Sequence, residues 1–169
     1  MGIAQWAVVM VTVTLTALDG FDVLSISFAG PSIALDWGLD QATLGWILAM
    51  ELLGMAVGSM ALGTISDKVG RRNTVFACLA AMSIGMFGAG RAADITGLLA
   101  WRLLTGLGIG GMLAVTTAIT AEFSNGRWRG LTISLMVIGY PIGGILGGSA
   151  VQEILSTGTW HDILLLGGW

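Results

Sequence analysis

Four ionisable residues, Asp19, Asp22, Glu51 and Arg102, stand within long apolar stretches where charge is costly. At the centre of a membrane-crossing helix each such side chain costs about 2.5–3.5 kcal/mol on insertion scales, so intramembrane charges mark proton relays, substrate sites or internal ion pairs. Asp19 and Asp22 are three residues apart and share one helix face. Two acids so placed repel and titrate as a coupled pair, which suits proton coupling; acids snorkelling to the headgroups at a helix end are the alternative. The planar guanidinium of Arg102 can fork onto a substrate carboxylate or an acid of the first helix, or form a permanent ion pair that fastens the bundle. Glu51 divides between a cavity role and structural pairing. Phe21 and Tyr140 are aromatic rings for stacking on an aromatic substrate, or ordinary packing.

Such residues need helices to carry them through lipid, and the composition supplies these. The chain is 55% hydrophobic and 10% charged over 169 residues, against about 25% charged for a soluble domain. Apolar stretches at 6–33, 42–66, 73–90, 95–122 and 131–154 are each long enough to span, and a sixth begins at 160. The expectation is an all-α membrane protein with short connections and antiparallel neighbours. Counted at 1.5 Å per residue, Asp19 and Asp22 lie roughly 20–24 Å up helix one from residue 6. From the opposite side Glu51 lies about 14 Å down helix two and Arg102 about 10 Å down helix four, so all four converge in the central-to-outer bilayer, around a central cavity.

Lys68, Arg71, Arg72, Arg127 and Arg129 all fall in the second and fourth connections, which places these and the N-terminus in the cytoplasm. The N-terminus lacks the basic region and cleavage site of a secretory signal. The single cysteine, Cys78, excludes an intrachain disulfide, and seven basic residues exclude nucleic-acid binding. His161, in a connection beside Asp162, reads as an interface residue; there is no nucleophile–base–orienter set and no metal-ligand cluster, so an enzyme is not expected. No phosphate-binding glycine loop is present, and the only drive called for is a proton gradient, with no cofactor. Glycines recur at four-residue spacing in helices two, four and five, either as close-packing positions or as smooth faces on which helices slide.

Residues 63–72, GTISDKVGRR, join helices two and three. Gly63 permits close packing at the helix end, Asp67 places a carboxylate among Lys68, Arg71 and Arg72, and Gly70 allows a tight turn. This segment resembles the G-x-x-x-D-[RK]-x-G-R-[RK] signature of the major facilitator superfamily at every specified position, and residues 102–111 of helix four are similar to its R-x-x-x-G-x-x-x-G helix. The resemblance implies a twelve-helix carrier made of two six-helix bundles, with this chain as the N-terminal bundle, cut early in helix six and lacking its C-terminal partner. It implies substrate held between the bundles with alternating access, and a cytoplasmic charge lock of Asp67 and its arginines with Glu122, Arg127 and Arg129 as neighbours.

Within that superfamily, residues 18–22, LDGFD, resemble the D-G-x-D motif of the aromatic acid:proton symporters, and residues 29–33, AGPSI, also look like that group. The resemblance implies import of benzoate-like or hydroxybenzoate-like acids with protons across a bacterial inner membrane. Asp19 and Asp22 would then serve coupling and transport, and Arg102 the substrate carboxylate. Gly130, Gly139 and Gly143 are spaced somewhat like an antiporter motif of drug exporters, but Gly144 stands where that motif has Pro. The alternatives are a sugar, metabolite or drug carrier of the same superfamily, or a membrane sensor or assembly subunit in which the charges are structural glue.

Overall fold

The computed structural model describes residues 2–157 and 160–167. Six helices follow in order: α1 (Ile3–Trp37), α2 (Gln41–Val69), α3 (Arg71–Ala89), α4 (Ile95–Phe123), α5 (Arg129–Thr157) and α6 (Trp160–Gly167). Local chemistry sets their ends. Asp40 caps α2 by accepting the Thr43 N–H at 3.1 Å, and Asp94 caps α4 by accepting the Gly97 N–H at 3.2 Å. Hydrogen bonds from Thr43 also hold the exposed Asp40 carboxyl below the usual carboxylate range. A single residue, Gly70, joins α2 to α3 at φ 96° and ψ 143°, a conformation that strains any residue with a Cβ.

Several helix boundaries differ from the sequence expectation by two to four residues, most clearly at helix C-termini. α1 continues past 33 and through Pro31 to Trp37, because one missing N–H does not end a helix whose later turns remain bonded; Gly38, left-handed at φ 61°, ends it. α2 runs past 66 to Val69, as Gly70 is the first residue to leave helical geometry. The expected connection at 156–159 is partly taken up by α5, and residues 158–159 lie outside the described residues. His161 stands in α6 rather than in a connection, and its side chain lies outside the described ones.

Among the described residues four helices are long and apolar enough to cross a membrane: α1, α2, α4 and α5 over Arg129–Ser149. α3, expected as a fifth span, is 19 residues long and opens on Arg71, Arg72 and Asn73. The 35 residues of α1 extend about 52 Å, well beyond a hydrocarbon core of about 30 Å. The outer surface bears exposed Leu35, Trp46, Met60 and Ile145, the inverse of a soluble protein and suited to lipid contact. This is an integral membrane bundle.

α4 packs along α2 and α3, α1 packs along α5, and α6 lies against α1 and α3. The α2–α4 crossing is backbone on backbone. Gly54 and Gly58 abut the carbonyls of Leu103 and Leu107, while Gly106 and Gly110 abut those of Glu51 and Met55. At each of the four an added Cβ would overlap the facing carbonyl oxygen. Gly20, Gly139 and Gly143 make the same kind of approach between α1 and α5. Gly63 does not: a Cβ there would meet only the Ala114 methyl at 3.4 Å, an ordinary contact, so the tight crossing lies deeper in the bundle.

Gly106→Ala is expected to destabilise the bundle by about 1–3 kcal/mol through overpacking. Gly130→Ala, where nothing lies within 4 Å of the added methyl, is expected to be neutral or slightly stabilising. Unfolding of both variants in the same detergent checks the difference.

Candidate functional site

The four interior charges occupy one layer between two apolar clusters. Along α2 the order is Ile47, Glu51, Met55; along α4 it is Leu98, Arg102, Ile109; on α1, Asp19 and Asp22 lie between Leu15 and Ile26. Ile26, Ile47 and Leu98 belong to one cluster with Met86 and Trp160, and Ile109 belongs to the other with Cys78, Met82 and Met112. The charged side chains are shielded even in this single bundle: Asp19 and Arg102 are 0% exposed, Glu51 2% and Asp22 4%. They converge as their spacing predicts, but inside the bundle and not on an open cavity wall. α6 helps to close the layer, since a Cβ at Gly167 would stand 3.1 Å from Asp22 Oδ1.

Arg102 Nη1 donates to Glu51 Oε1 at 3.2 Å, and Nη2 donates to the Met86 sulfur at 3.2 Å. Of the partners considered for Arg102, the structure thus supplies an acid of α2 and not one of α1. Its Nε is buried without a hydrogen-bond partner. Asp22 lies within electrostatic reach of both Arg102 and Glu51. Asp19 stands apart: both carboxylate oxygens are buried and neither has a hydrogen-bond partner. The layer therefore sets three acids against one guanidinium. Burying such a surplus is costly, and the proton is the smallest countercharge that can enter a dry interior.

The aromatic candidates lie at the margin of this layer. Phe21 is wedged against Gly147 and Gly167, and Tyr140, half-buried, rests its backbone carbonyl on Gly20. An apolar groove of about 390 Å³ runs elsewhere, between α1, α3 and α4, past Val11, Leu15, Val75, Phe76 and Ile119 to Arg72. None of the four interior charges lines it.

At the basic end Arg71 is the hub. Its Nη2 meets Glu122 Oε1 at 2.7 Å and Asp67 Oδ1 at 3.0 Å, and its Nη1 donates to Ser66 Oγ at 2.9 Å. Asp67 and Glu122 are more than half exposed, so water screens these pairs. Lys68, Arg127 and Arg129 are exposed and make no ion pair among the described residues, while Arg72 lies over the Phe76 ring. Gln5 Nε2 donates to the Phe123 carbonyl at 2.8 Å and Trp6 meets Trp128 edge to face, which ties the start of α1 to the end of α4 and to the connection that leads into α5.

Sequence reasoning missed Met86 as the second acceptor for Arg102, and it missed a set of buried hydroxyls. Thr12, Thr16, Thr116, Thr120 and Thr132 are each no more than 2% exposed. A signal existed in α1, where Thr12, Thr16 and Asp19 fall at i, i+4 and i+7 on one stripe.

A family model described as Major Facilitator Superfamily matches residues 12–168. The chain is 31% identical to the 4-hydroxybenzoate transporter PcaK of Pseudomonas aeruginosa, over 97% of this chain and 37% of that protein. It is 30% identical to a gallate transporter of Pseudomonas putida, over 97% of this chain and 36% of that protein. The fold matches the proton:xylose symporter XylE with a TM-score of 0.88 at 18% identity, over 97% of this chain and 42% of that one. It also matches an inward-facing bacterial homologue of the human lysosomal transporter Spinster, with a TM-score of 0.81 at 19% identity, over 99% and 41%. The chain thus spans little more than a third of the length of the curated relatives it matches.

Removing one partner of a buried ion pair leaves the other uncompensated, at a cost of about 3–5 kcal/mol. Glu51→Leu and Arg102→Met are each expected to destabilise by about that amount, and the double variant by clearly less than the sum. A double-mutant cycle of unfolding free energies in detergent measures the coupling.

Proposed function

This chain belongs to the major facilitator superfamily, and from that membership we propose that it forms the N-terminal bundle of a proton-coupled importer of small aromatic carboxylates such as benzoate or hydroxybenzoate. The observation that carries the reading is the interior layer, in which three acids and one guanidinium are sealed in apolar packing and Asp19 has no hydrogen-bond partner. A structural ion pair needs only Glu51 and Arg102. The two further acids on one turn of α1 give the site the means to take up and release protons. The relatives named for 4-hydroxybenzoate, gallate and benzoate transport favour the aromatic acid. These relatives are transporters, and the chain is read as a carrier and not an enzyme.

A C-terminal bundle facing this one would complete a substrate site between the two, with alternating access about it. Arg102 acts on the substrate through the charge balance of the layer, because its guanidinium is wholly buried. Asp19 and Asp22 carry the coupling proton, Glu51 holds Arg102 in place, and Tyr140 and Phe21 lie at the layer's edge, where an aromatic ring would approach. The basic end faces the cytoplasm of a bacterial inner membrane. There the segment with Gly63, Asp67, Lys68, Gly70, Arg71 and Arg72, together with Glu122 of α4, locks one state, with Arg127 and Arg129 as flanking cations that fix orientation.

Labelled 4-hydroxybenzoate uptake into vesicles carrying the complete transporter is expected to require an inward proton gradient, and Asp22→Asn is expected to abolish gradient-driven accumulation. Uptake indifferent to the gradient, or no uptake despite correct insertion, would sink the reading.

A further inference from the structure

The basic-end half of the bundle contains a seam of hydroxyls where α1, α4 and α5 face one another. At its outer end Ser124 Oγ and Thr132 Oγ1 are 2.6 Å apart, and Ser124 is half-buried beside the exposed Asn125 and Gly126, within reach of water. One turn further in, Thr120 Oγ1 donates to Thr12 Oγ1 at 3.0 Å, joining α4 to α1. Thr116 follows on α4, and on α1 Thr16 donates to the Thr12 carbonyl at 2.8 Å. The next polar residue along this stripe of α1 is Asp19, about 4.5 Å further along the axis, with both carboxylate oxygens buried and unpartnered.

Threonines in membrane helices commonly donate to the carbonyl one turn back, as Thr116 does to Met112. That habit satisfies the donor and leaves the oxygen lone pairs free to accept. Helix glue requires a contact or two between helices. It does not require a row of hydroxyls that starts at the solvent-facing end and leads to a carboxylate both of whose oxygens are buried without a hydrogen-bond partner among the described residues.

We propose that this seam conducts protons between Asp19 and the basic end of the bundle. The proposal rests on the proton-coupled reading above and adds the route. In the releasing direction, protonated Asp19 gives its proton through a water molecule to the oxygen of Thr16. Thr12 and Thr120 relay it across their direct hydroxyl contact, and Thr132 and Ser124 across theirs, each oxygen accepting one proton as it passes its own onward. A water molecule bridges each step where the structure shows a hydroxyl on a carbonyl, from Thr16 to Thr12 and from Thr120 to Ser124, and Ser124 delivers the last proton to bulk water. The net change is one carboxylic acid to one carboxylate and one hydronium ion; the hydroxyls are regenerated by rotation and no electrons are transferred. The groups that face Asp19 are Asp22 on its own helix, Cys78 on α3 and Tyr140 on α5, while Arg102 on α4 and Glu51 on α2 act on it through Asp22.

Thr120→Val keeps the shape and removes the central hydroxyl. In proteoliposomes holding the complete transporter, it is expected to slow gradient-driven uptake of labelled 4-hydroxybenzoate about tenfold. Counterflow of labelled against unlabelled substrate, which needs no net proton release, should stay within about twofold, and Thr120→Ser should restore the driven rate. Thr132→Val, at the seam's outer end, gives an independent reading with the same expected split. Equal loss of both rates would make the hydroxyls structural, and unchanged rates would exclude them from the route; either result overturns the proposal. Failure of the coupling reading is seen separately, as unmodified transporter whose uptake ignores the gradient.

Discussion

A guanidinium sealed at 0% exposure in the middle of a lipid-embedded bundle is the constraint on which the rest of this molecule depends. Arg102 holds its charge there only because Glu51 approaches to 3.2 Å and the Met86 sulfur accepts a second N–H. That approach depends on backbone geometry. Gly54 and Gly106 bring α2 and α4 close enough for carbonyls to rest on Cα atoms, at the level of Glu51 and Leu103, one residue from Arg102. Side chains at those glycines would part the helices and leave two charges buried without each other, the expensive outcome in low dielectric. The glycine pattern and the ion pair are therefore one device: the first sets a distance and the second requires it.

The two sets of charges differ in what their surroundings allow. At the basic end Arg71, Asp67 and Glu122 are partly exposed, so their contacts are weak and can be exchanged for water at small cost. Such a network suits a latch that opens and closes. The interior layer is closed off from bulk water by apolar packing, so its charges cannot trade partners for solvent at small cost. Only a proton, or movement of a side chain between partners, can change the charge balance there. Asp22 shares the field of the ion pair and Asp19 does not, so the two acids, one turn apart on α1, are chemically unequal. The proposed proton route takes its direction from this inequality and from the hydroxyls that lead away from Asp19.

Much of this was legible in the residues. Hydropathy located the helices to within a few residues, because a membrane demands unbroken apolar runs. The motif around Asp67 identified the superfamily, and the interior charges stood out by their cost. What could not be read were the pairings across helices. Helical periodicity says that Glu51 and Arg102 face inward, not which helix each will meet, and only the reciprocal glycines of α2 and α4 settle that. Gly63 carried an expectation of close packing that belongs to Gly54 and Gly58, since a motif glycine and a contact glycine look alike in sequence. Met86 read as filler because a thioether signals no partner. The end of α1 was placed at 33, four residues short, whereas the left-handed Gly38 is the stop. The threonines were overlooked because a hydroxyl in a membrane helix is usually satisfied by its own backbone.

The central claim is that Asp19 exchanges a proton inside the folded bundle. Infrared difference spectra of this chain in lipid nanodiscs, recorded between two pH values at which it stays folded, test it directly through the carboxyl C=O stretch. The account predicts a band that gains or loses intensity with pH, persists in Asp22→Asn at a shifted position, and vanishes in Asp19→Asn. Identical difference spectra from the unmodified chain and Asp19→Asn would contradict it and leave the interior layer as structural glue.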